Sequence, residues 1–518
     1  MELGLTSQAP FNRFAMSNYN DIYVVNPAYK FKNDIKRVEL TNNISIVLQD
    51  LDENSYDSGF SRIMHPYIAY IFSFFDGKRT MQQVYEKLGE DANIDISLED
   101  FSQTIAKFVE NNGPQIIPIA IAGAVSVPKR FLINNSNAGI YRPDLLEGID
   151  IHAMMSQLDL STVRNYIPSE CTIMLNDTCC TNCIYCYAER SHQVKNLLPF
   201  NRLKDIIKEA HDLGMKSVDV DGGDFFLYPH WFELLQELRK YGYVPIISTK
   251  FPITKEIVDK LLVAKIRKIQ LSLDSVNNEE IMQMLKVDAG YLERVKKGVA
   301  LLNDAGIAIT FKPVITKYND SLESVENLIR FAAQFENLKL VNLTAAERSQ
   351  FKPFNYPSTR KRLKLIEDKI PGWKEKYKKN INMLGYATEV PVETKKKNFP
   401  KRSFCSGNLT GFFVLPDGKV TLCEQLYWHP FFLIGDLSRQ SIMEMWQSEK
   451  ALSLWNFSQD EVRDCSPCKT CSEFEECRRG LGNCWRIAVA TYGPENYDFP
   501  APNCPRALPE PADTYIPE

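Results

Sequence analysis

Between Cys171 and about Thr344 the apolar positions follow two alternating periods. Short runs rich in β-branched residues, "CTIMLN", "KSVDVD", "VPIIST", "IQLSLD", "IAITFKPV" and "LKLVNLT", read as strands. Between them lie amphipathic stretches such as "NRLKDIIKEAHDLG" and "HWFELLQELRKYG", each closed by a glycine suited to a C-cap. Six βα units in sequence predict an α/β fold with a parallel sheet, curved or closed, and helices outside. In such sheets chemistry gathers at the C-terminal strand edge, where the loops begin.

The flanks read differently. "IYVVNP" (22–27) and "ISIVLQ" (44–49) are strand-like, and "HPYIAYIFSFF" is an apolar helix ending at the Asp76-Gly77 turn. Thr80 with Gln83, and Ser97 with Asp100, form capping boxes for the next two helices. The expected organisation is a winged-helix-like α+β domain over residues 1–125, a linker over 126–168 and the partial barrel over 169–345. A Lys/Arg-rich linker with one or two exposed helices covers 346–403, and a cysteine-rich domain with little periodicity covers 404–518.

Composition narrows the class. Hydrophobic residues are 44% of the 518, charged residues 24%, and the formal charge is −4, so nothing argues for nucleic acid or an anionic membrane. The first residues lack a basic and apolar signal pattern, and the most apolar stretch (Ile116 to Pro128) is too short to span a bilayer. A cytoplasmic protein is expected. Its thirteen cysteines are then not disulfides, and they cluster: none precedes Cys171 and none lies between Cys186 and Cys405. Clustered thiols in a reducing compartment point to metal.

The first cluster, "CCTNCIYC" (179–186), directly follows the first strand and contains C-x3-C-x2-C at Cys179, Cys183 and Cys186. Three thiolates hold three irons of a [4Fe–4S] cube and leave one iron open, whereas a structural zinc wants four ligands. A redox dithiol needs one C-x-x-C and leaves Cys179 idle. With the strand–helix series, this loop resembles the radical S-adenosylmethionine (radical SAM) superfamily over about residues 170–345, which implies a partial (β/α)6 TIM-like barrel. By that resemblance Tyr185 packs on adenine, and Gly222, Gly223 and Asp224 (Asp where relatives carry Glu) contact the methionyl amine. Ser272 and Asp274, on one face of their strand, would make ribose and methionine contacts. Lys286, where relatives often carry Arg, would take the carboxylate, and Ser248 is a further contact. The implied chemistry is cleavage of S-adenosylmethionine to a 5′-deoxyadenosyl radical that takes hydrogen from an unactivated carbon.

The later cysteines, Cys405, Cys423 (in G-x4-C), Cys465, Cys468, Cys471, Cys477, Cys484 and Cys504, resemble the SPASM pattern. Cys484 lies six residues past Cys477 rather than three, and Cys465 is an addition. Eight thiols match two auxiliary [4Fe–4S] clusters, one on Cys405, Cys423, Cys484 and Cys465, the other on Cys468, Cys471, Cys477 and Cys504. Two structural zincs are the rival reading.

Residues 64–90 resemble the peptide-binding winged-helix module of pyrroloquinoline quinone biosynthesis, which adds a leader strand to a sheet edge. The resemblances together imply a leader-dependent maturase that cross-links, through thioether or carbon–carbon bonds, a ribosomally made precursor peptide. Expected partners are that peptide and a small reductant such as flavodoxin or ferredoxin. Asp221 and Lys312 are inward-pointing candidates for proton transfer. Alternatives are sulfatase-maturase-like oxidation of a Cys or Ser, peptide epimerisation, or an electron- or peptide-carrying protein that never cleaves S-adenosylmethionine.

Overall fold

The structure is a computed structural model that describes residues 19–43, 56–57, 60–92, 96–119, 123–188, 194–384, 392–402, 405–479 and 482–509. The chain forms two compact units, residues 1–169 with 213–216, and the remainder.

In the first unit, β1 (Ile22–Val25) runs antiparallel between β5 (Asp76–Thr80) and β8 (Leu132–Asn134). β2 (Tyr29–Asn33), β3 (Val38–Asn42) and β4 (Ser61–Met64) form a meander, and β6 (Gln115–Ile119) pairs with β7 (Gly123–Val127) as a hairpin. Helices α1 (Pro66–Ser73), α2 (Met81–Ala92), α3 (Leu98–Ala106) and α4 (Ile151–Ser156) complete it. α1 opens with Pro66 and an N-cap, His65, whose Nδ1 accepts the Tyr67 N–H at 3.2 Å. It stops at Ser73, because Asp76 and Gly77 already belong to β5. Both capping residues act as expected: Thr80 and Gln83 exchange bonds of 3.2 and 3.0 Å, and Ser97 Oγ accepts the Asp100 N–H at 3.1 Å. The strand expected at 44–49 lies outside the described residues.

The stretch expected as a linker at 126–168 is built into this unit. β8 enters the sheet, Leu145 and Met154 join the apolar core, and residues 162–169 are held by buried polar groups of β2, β3 and the turn between them. Asp34 accepts the Ile167 N–H at 2.8 Å and pairs with Arg37 at 2.9 Å, while Arg37 donates to the Arg164 carbonyl at 2.7 Å. Lys32 pairs with Glu39 at 3.2 Å, and Asn165 donates to the same carboxylate at 3.1 Å. The segment is polar because its partners are buried ions, and composition alone reads that as a connector.

The second unit carries the parallel strands. β9 (Glu170–Met174) pairs with β10 (Ser217–Asp221), and β11 (Ser248–Thr249), β12 (Lys268–Leu271), β13 (Ala308–Phe311) and β15 (Leu338–Ala345) follow in order, with β14 (Val314–Ile315) beside β15. Helices α5 (Phe200–Asp212), α6 (Trp231–Lys240), α7 (Lys255–Val263), α8 (Asn278–Leu285), α9 (Tyr291–Asp304) and α10 (Leu322–Ala332) intervene, as a partial TIM-like barrel requires. Two features exceed expectation. The supposed basic linker contains α11 (Arg360–Tyr377), with Leu363, Ile366, Ile370 and Trp373 buried as one stripe, and β16 (Asn380–Leu384), which extends the sheet parallel to β15. Four apolar residues among many lysines suffice for that face and are masked by the charge. Further on, β17 (Gly411–Val414) pairs parallel with β9 and leads into the antiparallel β18 (Lys419–Thr421) and β19 (Gly435–Asp436). The cysteine-rich region thus adds its first strand to the sheet that holds the first cysteine loop.

Candidate cofactor and substrate site

The cysteine loop is fixed by backbone bonds to the end of α8. The N–H groups of Asn182 and Ile184 donate to the carbonyls of Leu285 and Met284 at 2.8 and 2.9 Å. These are orphan acceptors at the end of α8, so loop and helix satisfy each other. Ser349 Oγ donates to the Cys186 carbonyl at 2.7 Å. Cys179, Cys183 and Cys186 form no disulfide, Cys183 buried and the others half-buried.

The glycine pair brings the end of β10 against this loop. Gly222 has φ +145°, the Gly223 N–H donates to the Asn176 carbonyl at 2.8 Å, and the Asp224 N–H donates to the Thr178 carbonyl at 2.7 Å. A Cβ on Gly223 would lie 1.9 Å from the Thr178 oxygen, so only glycine fits. Asp224 is thereby buried facing the loop, with the Cys180 thiol 3.8 Å from Oδ2. Burial pushes its carboxyl up, opposed by Thr249 Oγ1 at 2.8 Å and the N–H groups of Phe226 and Lys250. Burial and the Asp224 charge push the Cys180 thiol up to about 12.

A second buried carboxylate, Asp274, accepts from the Tyr185 hydroxyl, from Lys250 Nζ at 2.9 Å and from the Val314 N–H at 2.8 Å. Lys250 Nζ also donates to the Ser272 carbonyl at 2.6 Å and lies 5.6 Å from the centroid of the Tyr185 ring. The structure therefore gathers Tyr185, Asp224, Ser272 and Asp274 around Lys250, a residue that sequence reasoning missed. Ser248 sits on the opposite face of β11, exposed and accepting from Gln270 at 2.6 Å, so Thr249 and Lys250 reach the site in its place. Lys286 is the exposed left-handed cap of α8 (φ +56°), and the structure does not bring it to these carboxylates.

Beside this group, Asp221 ends β10 and Lys312 follows β13, both half-buried. Burial, and then the Glu424 charge, push the Asp221 carboxyl up to about 7, against the Gly222 N–H and Lys312. Lys312 also acts on Glu424, whose carboxyl burial raises. Tyr187 and Tyr427 feel both carboxylates. Glu424 neighbours a candidate cysteine and carried no signal of its own; only folding sets it beside Asp221.

Among the later cysteines, Cys468, Cys471, Cys477 and Cys504 line one cavity, as grouped from the sequence. Arg402 donates to Cys477 Sγ at 3.2 Å and Arg478 to Cys468 Sγ at 3.7 Å, contacts that favour thiolates. Cys405, Cys423 and Cys484 are electrostatic neighbours, with Arg486 acting on all three. Cys465 is exposed and is not among the groups acting on Cys405.

Among the described residues no three His, Cys, Asp or Glu side chains converge tightly enough for a single metal ion. Three cysteines outside any disulfide on a pinned loop, beside two buried carboxylates, an ammonium and a tyrosine, fit an open-iron [4Fe–4S] cluster with a ligand carrying amine, carboxylate and ribose.

Comparison with known proteins agrees. Residues 173–356 match the radical SAM superfamily and 405–472 match an iron–sulfur cluster-binding domain, SPASM. A probable GTP 3′,8-cyclase of Pyrococcus horikoshii is 25% identical over 266 residues, 48% of this chain and 82% of the relative. The antilisterial bacteriocin subtilosin biosynthesis protein AlbA of Bacillus subtilis is 25% identical over 169 residues, 31% of this chain and 38% of its own. The crystal structure of Streptococcus suis SuiB bound to S-adenosylmethionine aligns with TM-score 0.58 over 93% of this chain and 99% of that one, at 14% identity, a likeness of fold. Among the described residues no helix is long and apolar enough to cross a membrane.

Proposed function

From a chain that carries a radical SAM domain, with its [4Fe–4S] cluster and S-adenosylmethionine, joined to a SPASM iron–sulfur domain, we propose a maturase that cross-links a ribosomally made precursor peptide. The observation that carries this reading is the extent of the fold match. SuiB, also solved bound to its precursor peptide SuiA, aligns over 93% of this chain, so the likeness includes more than the barrel. The cyclase relatives leave about half of the chain unmatched.

In this reading Cys179, Cys183 and Cys186 hold the cluster, and Asp224, Ser272, Asp274, Tyr185 and the Gly222-Gly223 turn hold S-adenosylmethionine. When bound, the cofactor pair supplies a 5′-deoxyadenosyl radical that removes hydrogen from a substrate carbon. The chain orients and protects. Lys250 neutralises Asp274 and keeps it in place under Tyr185. Asp221, poised near neutrality, accepts the proton released on bond formation, while Lys312 stabilises its ionised form. The later cysteines would hold two auxiliary [4Fe–4S] clusters, which would supply an acceptor for the surplus electron, the first unit would bind the leader, and a flavodoxin or ferredoxin would supply reducing electrons.

The test is anaerobic co-expression with the small peptide encoded beside this protein, followed by tandem mass spectrometry. Loss of two hydrogens mapped to one residue pair is expected. Unchanged mass with an inverted centre means epimerisation and defeats the cross-link.

A further inference from the structure

Two guanidinium groups reach the thiols of the second auxiliary cysteine set. Arg478 Nη2 donates to Cys468 Sγ at 3.7 Å and Arg402 Nη2 to Cys477 Sγ at 3.2 Å, while the backbone N–H of Arg506 donates to Cys504 Sγ at 3.4 Å. The other bonds of the two guanidiniums go to carbonyl oxygens. Arg402 donates to Phe399, Gly482 and Cys477 at 2.8, 3.0 and 3.4 Å, and Arg478 to Asp498 at 3.4 Å. Among the described residues neither pairs with a carboxylate; Glu473 lines the cavity of these thiols but is exposed. Aromatic rings hold both groups in place: the Phe399 centroid is 3.9 Å from Arg402 Cζ, and those of Trp485 and Phe474 are 4.5 and 5.4 Å from Arg478 Cζ. The first set differs, because Arg486, which acts on Cys423 and Cys484, shares its charge with Glu347 at 3.4 Å.

One charged donor is left over. Arg478 Nη1 is buried and has no hydrogen-bond partner, although Arg478 lines the cavity shared by Cys468, Cys471, Cys477 and Cys504. A buried donor on a charged group is costly to leave unsatisfied. A cubane held by these four thiols brings inorganic sulfides, acceptors of the kind this atom lacks, so the residues fit the group.

Resting on the auxiliary-cluster part of the maturase reading, we propose that Arg402 and Arg478 set the reduction potential of the cluster on Cys468, Cys471, Cys477 and Cys504, and bias it toward taking up the surplus electron. One-electron reduction of a [4Fe–4S] cube adds one negative charge to iron and sulfur together. Two cationic N–H donors on the ligand sulfurs favour that reduced form and raise the potential. The electron comes from the adduct radical left by bond formation, which is oxidised by one electron as its proton passes to Asp221. Neither arginine changes its own charge in the step.

Potentiometric titration of the reconstituted holoenzyme, followed by electron paramagnetic resonance, tests it. The signal missing from Cys471→Ala identifies the cluster concerned. Its midpoint in Arg478→Gln should fall by about 59 mV, a tenfold poorer reduction equilibrium for one electron and the scale of one charge-assisted hydrogen bond. Arg478→Lys, which keeps the charge, should recover at least half of that shift. Arg402→Gln should move the same midpoint in the same direction, and the other two midpoints should stay. An unmoved midpoint, an equal shift of all three, or no recovery by lysine would overturn the proposal. If Arg478→Gln loses that cluster's iron, the Arg402→Gln midpoint decides, and loss from both variants makes the arginines structural and overturns it too. Shifted midpoints with a co-expressed peptide that is never modified would defeat the cross-linking reading and leave the arginine assignment standing. Zinc on this set, with no third midpoint, would defeat the auxiliary-cluster reading and this proposal with it.

Discussion

Replacing Gly223 by alanine should damage the cofactor site through one contact. The added Cβ would sit 1.9 Å from the Thr178 oxygen, where ordinary contact begins at 3.4 Å, so turn and loop must separate by 1.5 Å. Backbone atoms make the clash, and no rotamer relieves it. The separation breaks the Gly223 N–H to Asn176 bond (2.8 Å) and the Asp224 N–H to Thr178 bond (2.7 Å). Two lost bonds cost about 2 kcal/mol and overpacking about 1–3 more, or roughly 3–5 kcal/mol together. Thr178 precedes Cys179, so the strain falls on the cluster loop. Calorimetry of reconstituted protein should show the second unit's transition lowered by about 4–7 °C, and iron per chain should fall. Gly372→Ala is the control: it lies in α11 with nothing within 4 Å of its Cβ, and should be neutral or slightly stabilising. Wild-type stability and iron content in Gly223→Ala would refute the reasoning.

Three further outcomes can be checked independently. Asp221 is protonated below its raised value of about 7 and ionised above it, so turnover limited by proton acceptance should rise with pH through 7. Asp221→Asn should lose that rise along with roughly 10²–10⁴ of the rate; an unchanged profile excludes the residue as base. Cys179→Ala should lose the first cluster, dropping iron from about 12 to about 8 per chain. Cys180→Ala, which removes a thiol turned toward Asp224, should keep all of it, as absorbance and iron assays will show. Calorimetric titration should find S-adenosylmethionine binding weakened about tenfold or more in Lys250→Met, as when a buried ion pair loses one partner. Lys286→Met should be near wild type, and the reverse order would return the carboxylate contact to Lys286.

The barrel was legible because its signals are short-range. Each strand run and each glycine-capped helix lies within a dozen or so residues, and both helices quoted from the sequence end before a glycine of positive φ, Gly214 and Gly242. The linker reading of 126–168, and the missed buried face of the helix expected within 346–403, share one reason: polarity was read as exposure. Residues 162–169 are polar toward buried ions, and α11 hides four apolar residues under its charges.

The spacing of Cys179, Cys183 and Cys186 after a strand pointed to an iron–sulfur cluster, and the resemblance of that loop and of the Gly222-Gly223-Asp224 turn to the radical SAM pattern implied S-adenosylmethionine. Thiols on one short loop keep their mutual reach whatever surrounds them. Tertiary structure alone decided that Lys250 stands between Tyr185 and Asp274, that Thr249 rather than Ser248 meets Asp224, and that burial, and then Glu424, lift the Asp221 carboxyl to about 7. It also set β17 against β9. These partners lie on separate strands and loops, and their contacts follow from packing, which leaves no periodic trace along the chain.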